Sequence, residues 1–219
     1  MKIIAIIVAA GRGSRVKSDI PKQYFSLKDK TILYHAILPF INHPRISNII
    51  CSIAPSDLDL YNDAISNLQI LEPVFGGVER QDSVRIALEK IKDLNPDYVL
   101  IHDGARPFIT TKIIDDLIVK LQQEKAAIPA IAIADSVKKI ENNKIIKTIS
   151  RDNLFLAQTP QAFDYKLILD LHNKYKNQKF TDDASICEKE GIDVTIIDGN
   201  INNFKITTKE DYERAKKSC

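Results

Sequence analysis

The sequence predicts an α/β fold in which helices flank a mostly parallel sheet. Short apolar segments alternate along the chain with segments whose apolar residues recur at helical spacing, which is the pattern of βαβ units. In addition, five of the seven glycines fall in three loops, and each of these loops follows a predicted strand. Because the carboxyl ends of parallel strands share one edge of the sheet, we expect these loops to line a single ligand pocket at that edge.

The first predicted strand spans residues 3–10, a β-branched apolar run with no polar alternation. Such a run is typical of a strand buried on both faces. It is too short to cross a bilayer and lies at the short limit of a signal-peptide core. We therefore interpret it as a buried first strand.

A glycine turn with nearby cations follows this strand. Gly11 and Gly13 leave backbone N–H groups free to face an anion. The turn lacks the third glycine of the dinucleotide fingerprint, and no Gly-Lys-Ser/Thr follows as in a P-loop. What remains is Gly-x-Gly-x-Arg and then Pro21-Lys22. Arg15 and Lys22 suit a triphosphate whose charge must be held while a bond breaks; the alternative is a solvated basic loop.

The next segments continue the alternation. We predict a helix at residues 31–42, a strand at 46–54, a helix at 58–68 and a strand at 70–75. Gly76 and Gly77 then turn the chain into another helix, for which Asp82 or Ser83 is a suitable N-cap. The start of that helix is open to a polar ligand, although a capped turn needs none.

The fourth predicted strand, residues 98–101, leads into His102, Asp103 and Arg106. Ligands of open α/β sheets lie outside this edge, so Asp103 is a candidate for a divalent cation or a substrate hydroxyl, and Arg106 for a phosphate. The alternative is an ion pair that fixes a proline-containing loop. His102 is the weaker candidate, since a single histidine beside a strand is more often a packing residue than a base.

A β-hairpin interrupts the alternation after a helix at residues 110–125 and a strand at 126–134. Residues 136–151 read as two strands with a turn near 141–143. Two strands alone are marginally stable in water, so we expect this arm to pack against the same arm of a second subunit. The remaining predictions are an ordered loop at 156–163, helices at 165–174, 181–191 and 209–217, a strand at 192–197 and an edge segment at 203–207.

Composition limits the classes of partner. The net charge of the 219-residue chain is +2, so no broad nucleic-acid or membrane surface is indicated. Cys51, Cys187 and Cys219 are odd in number, far apart and without metal-ligand spacing. We therefore expect reduced thiols and a cytoplasmic location. No linker or repeat divides the sequence, which predicts one domain over residues 1–219 with an arm at about 135–157.

Together, these segments closely resemble the 2-C-methyl-D-erythritol 4-phosphate cytidylyltransferase family, in order along nearly the whole chain. The matching segments are residues 9–15 (AAGRGSR), 21–24 (PKQY), 76–80 (GGVER) with Ser83, 102–107 (HDGARP), 158–161 (QTPQ), Thr181 with Asp182, and 205–207 (KIT). Agreement over this many segments is far more specific than any single motif.

The resemblance implies a Rossmann-like nucleotidyltransferase fold with a protruding β-hairpin arm. It also implies that CMP is transferred from CTP to methylerythritol phosphate, which yields 4-diphosphocytidyl-2-C-methyl-D-erythritol and pyrophosphate in non-mevalonate isoprenoid synthesis. Mg²⁺ would be required and would accompany the triphosphate, with Asp103 as a candidate ligand. The nucleophile is a phosphate monoester, already mostly dianionic near neutral pH, so no side chain need remove a proton.

The resemblance further implies roles for individual residues. Arg15 and Lys22 would stabilise the transition state at the α-phosphate. The nucleotide would be bound by Ala9, Ala10, Gly11, Gly13, Gly77, Ser83 and Asp103. The sugar phosphate would be bound by Asp103, Arg106, Ser136, Arg151, Thr159, Thr181 and Lys205, with Ser136 and Arg151 supplied by the arm of a partner subunit.

Three positions depart from the family pattern. Ser136 replaces a common Thr, Val78 replaces an acid of some members, and Gly104 replaces an Ala of one common variant. None removes a charge assigned to catalysis, so they bear on substrate fit more than on reaction type. Two alternatives remain open, namely a cytidylyltransferase for ribitol 5-phosphate and a catalytically silent nucleotide-binding homologue.

Overall fold

The computed structural model describes residues 1–12 and 20–218. Within these residues the strands are β1 (Ile3–Ala9), β2 (Ser26–Leu27), β3 (Lys30–Thr31), β4 (Ile46–Ile53), β5 (Val74–Phe75), β6 (Tyr98–Asp103), β7 (Ala126–Ala132), β8 (Val137–Glu141), β9 (Lys144–Ile149), β10 (Phe155–Ala157), β11 (Gln161–Asp164) and β12 (Thr195–Asp198). The helices are α1 (Ile32–Ile41), α2 (Leu58–Ile65), α3 (Arg80–Lys90), α4 (Thr111–Lys120), α5 (Tyr165–Lys174), α6 (Asp183–Lys189) and α7 (Lys209–Ser218). The predicted alternation of strands and helices is confirmed.

The central sheet is mixed and mostly parallel on one side. Its strand order is β10-β7-β11-β6-β1-β4-β5, with β12 also paired to β7. The pairs β1 with β4, β1 with β6, β4 with β5, and β7 with β12 are parallel. In contrast, β11 runs antiparallel between β6 and β7, and β10 runs antiparallel to β7. The predicted fold class is confirmed.

Strand β1 is buried on both faces, as its composition predicted. Ile3, Ala5 and Ile7 belong to the core on the side of α1, α2 and α4. Ile4 and Ile6 belong to the core on the side of α3, α5 and α6. Successive side chains of a strand point to opposite faces, so an unbroken apolar run supplies both layers.

The strand order creates a crevice beside β1. The next strand in the chain to join the sheet, β4, lies on one side of β1, whereas β6 lies on the other. In open α/β sheets the ligand binds where the strand order reverses in this way, outside the carboxyl ends of the strands. Ala9 ends β1 and Asp103 ends β6 at that place.

Three sequence predictions about this sheet were wrong in detail. The segment 156–163 was predicted to be an ordered loop, but it contributes residues to β10 and β11. The proline and glutamines of this segment are not typical strand residues, so the sequence pattern did not indicate strands. The strand predicted at 70–75 is reduced to Val74–Phe75. The segment 203–207 forms no strand; Ile206 N instead donates a single hydrogen bond to Ala105 O at 2.9 Å.

The hairpin arm consists of β8 and β9, which pair with each other outside the central sheet. Its turn contains Asn142 and Asn143, both with positive φ (49° and 60°), a conformation that asparagine tolerates better than most residues. Ile140, Ile145 and Ile146 of the arm are all more than half exposed. Residues 155–157, the end of the predicted arm, instead belong to β10 in the central sheet.

Among the described residues, we find no helix with the length and apolar character needed to cross a membrane.

Candidate active site

A pocket lies at the carboxyl ends of β1 and β6. Eight predicted site residues line it, namely the predicted catalytic residue Lys22 and the predicted binding residues Ala9, Ala10, Gly11, Gly77, Ser83, Asp103 and Lys205. They come from the first strand and its glycine turn, the turn before α3, the end of β6 and the segment before α7. The structure thus brings together residues that are far apart in the sequence.

The glycine turn is held by an amide side chain. Gln23 Nε2 donates hydrogen bonds to Ala9 O at 2.7 Å and to Gly11 O at 3.2 Å. Gln23 sits in the short 3₁₀ turn Lys22–Tyr24 and is almost fully buried. These bonds tie the turn that carries Lys22 to the end of β1. In the sequence Gln23 belongs to the PKQY segment, but no local pattern predicts this role for it.

The turn before α3 approaches the pocket closely because it lacks side chains. A Cβ at Gly76 would collide with the side chains of Ala10 and Ser83, and a Cβ at Gly77 would collide with Asp82. Only glycine therefore fits at either position.

The predicted N-cap of α3 was wrong. The helix begins at Arg80, with Glu79 as its N-cap. Asp82 lies inside the first turn and accepts a hydrogen bond from Glu79 N at 3.2 Å. Ser83 Oγ also lies within the helix and donates to Glu79 O at 3.2 Å. Glu79 and Asp82 thus form a capping box, whereas the Ser83 hydroxyl bonds back to the carbonyl four residues earlier.

Asp103 is surrounded by three cations. Its Oδ1 lies 3.2 Å from Arg80 Nε, and its Oδ2 lies 2.9 Å from Lys205 Nζ and 3.5 Å from Arg106 Nε. Burial by itself would raise the pKa of the Asp103 carboxyl, but the charges of Arg80, Lys205 and Arg106 outweigh it and hold the pKa far below its usual range. Asp103 is therefore a carboxylate at any physiological pH.

The described acids do not fit a metal held by the protein. No group of three or more His, Cys, Asp or Glu residues comes together within the described chain in a metal-binding arrangement. Asp103, the predicted candidate ligand, already faces three cations, and a divalent ion would have to compete with all of them. We derive no step through a metal bound at Asp103.

A buried hydrogen-bond chain supports Asp103 from behind. Asp103 N donates to Thr159 Oγ1 at 3.0 Å, and Thr159 Oγ1 lies 3.0 Å from His102 Nδ1. His102 Nε2 lies 3.0 Å from Arg106 O; since a carbonyl only accepts, the Nε2–H donates there and Nδ1 accepts from the threonine hydroxyl. Burial lowers the pKa of His102 to about 4, so its ring is neutral and serves as a structural linker.

The family model for 2-C-methyl-D-erythritol 4-phosphate cytidylyltransferase matches residues 3–218. The chain belongs to this family.

Similar proteins agree with that result. The chain is 45% identical to the bifunctional enzyme IspD/IspF of Paramagnetospirillum magneticum over 98% of this chain and 56% of the relative. It is 46% identical to the enzyme of that name from Rhodospirillum rubrum over 99% and 56%. The chain thus spans just over half the length of the curated relatives it matches.

The fold of the chain is also similar to that of solved structures. The 2-C-methyl-D-erythritol 4-phosphate cytidylyltransferase of Francisella tularensis is 34% identical, with a TM-score of 0.86 and full coverage of both chains. The 4-diphosphocytidyl-2C-methyl-D-erythritol synthase of Anaerococcus prevotii is 31% identical, with a TM-score of 0.85 over 99% of this chain and 95% of that one.

Not every residue that the cytidylyltransferase family motifs single out has a described position at the pocket. Gly13 and Arg15 lie outside the described residues. Ser136 and Arg151 are exposed at the two ends of the hairpin arm, where Arg151 Nη1 donates to the Ala134 carbonyl. Thr181 is exposed just before the N-cap of α6. None of these three described residues lines the pocket of its own chain.

Two more cytidylyltransferase motif residues lie next to the pocket and have partners within the chain. Arg106 Nη1 donates to Asn203 O at 2.8 Å, and Asn203 Nδ2 donates to Thr159 O at 2.9 Å. These bonds hold the segment that carries Lys205 against β6. The roles predicted for Arg106 and Thr159 toward substrate stay predictions, while their contacts here fix the position of Lys205 and Asp103.

Proposed function

We propose that the chain transfers CMP from CTP to 2-C-methyl-D-erythritol 4-phosphate, giving 4-diphosphocytidyl-2-C-methyl-D-erythritol and pyrophosphate. The single observation that supports this most strongly is the pocket at the switch point of the sheet. There a side-chain-poor turn, Lys22, the Gly76-Gly77 turn and the Asp103-Lys205 pair face one space. This arrangement suits a nucleoside triphosphate beside a second anion in a family of cytidylyltransferases.

The proposed reaction is an in-line displacement at the α-phosphorus of CTP. A phosphate oxygen of methylerythritol phosphate forms the new bond, the bond from the α-phosphorus to its bridging oxygen breaks, and the electron pair leaves with pyrophosphate. Negative charge grows on the α-phosphoryl oxygens, where Lys22 and, by prediction, Arg15 stabilise it. Alignment of two anions is the other requirement, and it is met by the rigid walls of the pocket.

The nucleotide would lie against Ala9, Ala10, Gly77 and Ser83. The bare backbone at Gly76 and Gly77 supports this, because a side chain at either position would be forced into its neighbours. Backbone N–H and C=O groups can read a base edge with little loss of conformational entropy, since they are already fixed. Asp103 and Lys205 would lie at the junction of nucleotide and sugar phosphate.

We propose that Mg²⁺ is required and is held by the oxygens of the triphosphate. What supports this is the composition of the described pocket, in which the carboxylates of Glu79 and Asp103 are accompanied by three cations, Lys22, Arg80 and Lys205. Beside these cations the two acids are poor ligands for a metal ion, and the phosphate oxygens are better ones. When bound, the ion would supply charge neutralisation of the phosphates.

The enzyme is proposed to act as a cytoplasmic homodimer through the hairpin arm. The exposed isoleucines of the arm support an interface with a second copy, since two strands alone are marginally stable in water. The location of Ser136 and Arg151 on the arm, away from their own pocket, supports delivery of these residues to the partner's pocket. Residues 1–219 would then form one catalytic domain with its arm.

Subunit complementation tests the arm. Lys22→Ala and Arg151→Ala proteins, each nearly inactive, are mixed under conditions that exchange subunits. If the arm acts across the interface, a mixed dimer contains one intact pocket, and random exchange restores about a quarter of the wild-type activity. If the arm acts on its own pocket, mixing restores nothing, and this part of the proposal fails.

One assay separates the proposed reaction from its alternatives. Release of pyrophosphate from CTP is measured with no acceptor, with methylerythritol phosphate and with ribitol 5-phosphate. The proposal requires release with methylerythritol phosphate only. Release with ribitol 5-phosphate only would identify the pentitol enzyme, and no release with either acceptor would identify a silent homologue.

A further inference from the structure

A chain of contacts between ionisable side chains runs from the pocket into the helical layer behind it. Arg80 places its Nε 3.2 Å from Asp103 Oδ1 and its Nη1 2.7 Å from Asp183 Oδ2. Asp183 Oδ1 in turn lies 3.1 Å from His172 Nε2. The side chains of Asp183 and His172 are 1% and 0% exposed, and neither residue lines the pocket.

Asp183 is held rigidly by its surroundings. It is the first residue of α6, and its backbone N donates to Gln161 Oε1 at 3.0 Å, as does Ala184 N. Gln161 Nε2 also donates to Asp182 Oδ2 at 2.7 Å. The start of α6 is thereby fastened to β11, the strand between β6 and β7. A carboxylate fixed in this way gives Arg80 a stationary partner.

Arg80 divides its guanidinium between two carboxylates, those of Asp103 and Asp183. Burial of Asp183 would raise the pKa of its carboxyl, but the Arg80 charge and the His172 contact reverse this and lower the pKa. Asp183 is therefore charged and attracts Arg80 away from the pocket. Asp103 attracts the same guanidinium from the opposite side. The position of Arg80 is a balance between the two.

We propose that Asp183 is a positioning residue for the cytidylyltransferase pocket, acting through Arg80 to fix the Asp103 carboxylate, with His172 orienting Asp183. Oδ1 of Asp103 contacts Arg80, whereas Oδ2 contacts Lys205 and Arg106. Without Asp183, Arg80 is free to turn fully onto Asp103, which alters the contact of Asp103 with Lys205. This inference rests on the proposed function, in which Asp103 and Lys205 face both substrates.

A double-mutant cycle tests the route through Arg80. Asp183→Asn keeps the size of the side chain and removes its charge. We expect it to lower kcat/KM about 10- to 100-fold, the loss typical of a small displacement of reacting groups. In an Arg80→Gln background the same change should cost less than about 3-fold, since the group through which it acts is gone. Equal losses in both backgrounds would overturn the proposal.

A matched control lies on the same pair of helices. Glu190 and Lys174 form an exposed ion pair at 2.7 Å between α5 and the end of α6. Glu190→Gln removes a contact between the same elements without touching Arg80, and we expect kcat/KM within about 2-fold of wild type because exposed ion pairs contribute little. Thermal unfolding of each variant separates a general loss of stability from a displaced Arg80. Losses in Glu190→Gln equal to those in Asp183→Asn would contradict the inference.

A second measurement is independent of the reaction. In nitrogen-labelled protein, the Nε–H resonance of Arg80, assigned by its absence in Arg80→Gln, reports the hydrogen bond to Asp103. We expect Asp183→Asn to shift this resonance and to speed its exchange with water, and Glu190→Gln to leave it unchanged. An unchanged resonance in Asp183→Asn refutes the positioning role. If wild-type protein releases no pyrophosphate, the proposed function fails while this measurement still decides the coupling.

His172→Gln decides the question if Asp183→Asn does not give soluble protein. It keeps the Asp183 charge and disturbs only the contact at 3.1 Å. The Arg80 resonance should then shift by a smaller amount, with a fall in kcat/KM of about 2- to 5-fold for one weakened hydrogen bond. No change in either quantity would refute the inference.

Discussion

The two walls of the pocket are built in different ways. The glycine-turn wall, residues 9–12 and 21–24, is local in sequence and is fastened by the Gln23 amide to backbone carbonyls. The ion-pair wall, made of Arg80, Asp103 and Lys205 with Asp183 behind Arg80, joins residues up to 103 positions apart through their charges. One wall is therefore shaped by backbone geometry and the other by electrostatics.

This difference indicates how each wall contributes to function. The glycine-turn wall presents backbone and Lys22 to the site of bond cleavage, so its residues should affect turnover most. The ion-pair wall keeps its charges compensated within the protein, so its residues should affect both stability and activity. Substitutions in the two walls should therefore differ in whether turnover or stability is affected most.

Lys22→Ala should give the largest change. We expect kcat to fall roughly 10²- to 10³-fold, as when one donor to a developing charge is removed, while the affinity for CTP changes far less. Steady-state kinetics together with calorimetric titration of CTP measure the two quantities. Equal losses of turnover and CTP affinity would contradict the role assigned to Lys22, because an interaction made only in the transition state lowers kcat without weakening ground-state binding.

His102, behind the ion-pair wall, should make stability depend on pH. Its pKa is lowered by burial from 6.5 to about 4, so the unfolded chain binds more protons between these values. Stability from this residue is fully present above about pH 6.5 and falls as the pH drops toward 4, by roughly 3 kcal/mol in total. Denaturant unfolding of wild type and His102→Gln across that range measures the difference, and parallel curves would refute the prediction.

Local determinants explain what the sequence could predict. The buried strand β1 and the glycine turn were predictable because a run of apolar residues and two glycines decide them within a dozen positions. The ion-pair wall was not, because the partnership of Arg80 with Asp183 depends on how α3 and α6 pack in three dimensions. Asp103 was singled out as the end of a strand, but its three cations come from three different segments.

The errors have similar causes. The N-cap of α3 was placed too late because Asp82 and Ser83 are common capping residues and glutamate is a less usual one, yet Glu79 occupies that position. The strands β10 and β11 were missed since each has at most four residues. Their strand character comes from pairing with β6 and β7, which no local pattern reveals.

Asp103→Asn should disturb both stability and activity. Three cations would lose their shared carboxylate. Removal of one partner from a buried ion pair typically lowers the free energy of unfolding by about 3–5 kcal/mol. Because Lys205 is about one-third exposed, we expect a loss of about 2–3 kcal/mol here. Asp116→Asn, which breaks the exposed pair with Lys112, is the control and should cost about 0.5 kcal/mol or less. Similar losses in both variants would show that the ion-pair wall does not stabilise the fold.

Thr159→Val should cost less, because only neutral hydrogen bonds are lost. The change leaves Asp103 N and His102 Nδ1 buried without their partner at 3.0 Å each, for which we expect a loss of about 1–2 kcal/mol in the free energy of unfolding. Thr159→Ser keeps the hydroxyl and should stay closer to wild type. If Thr159→Val instead retains stability and raises only the KM for methylerythritol phosphate, the hydroxyl contacts the substrate and does not stabilise the fold.

Arg12→Ala should have the smallest effect and tests the glycine-turn wall at its outer end. Arg12 Nη1 lies 3.2 Å from Asp57 Oδ1, and its side chain is 59% exposed whereas that of Asp57 is 2% exposed. Solvent screens the exposed partner, so we expect a loss of about 1 kcal/mol or less. Arg45→Ala, which breaks a contact with Asp115 away from the pocket, is the control for stability.

The activity of Arg12→Ala separates the two walls. Arg12 ties the glycine turn to the segment just before α2, and Nη2 also donates to Ser56 Oγ, so its loss should lower kcat about 2- to 5-fold through a looser turn. Arg45→Ala should leave kcat unchanged. High salt should lower the kcat of the wild-type enzyme toward that of Arg12→Ala. It should lower the kcat of the variant less, because salt screens the Arg12–Asp57 pair that the variant lacks. A loss of stability as large as that of Asp103→Asn would mean that the glycine-turn wall, too, is held by charge.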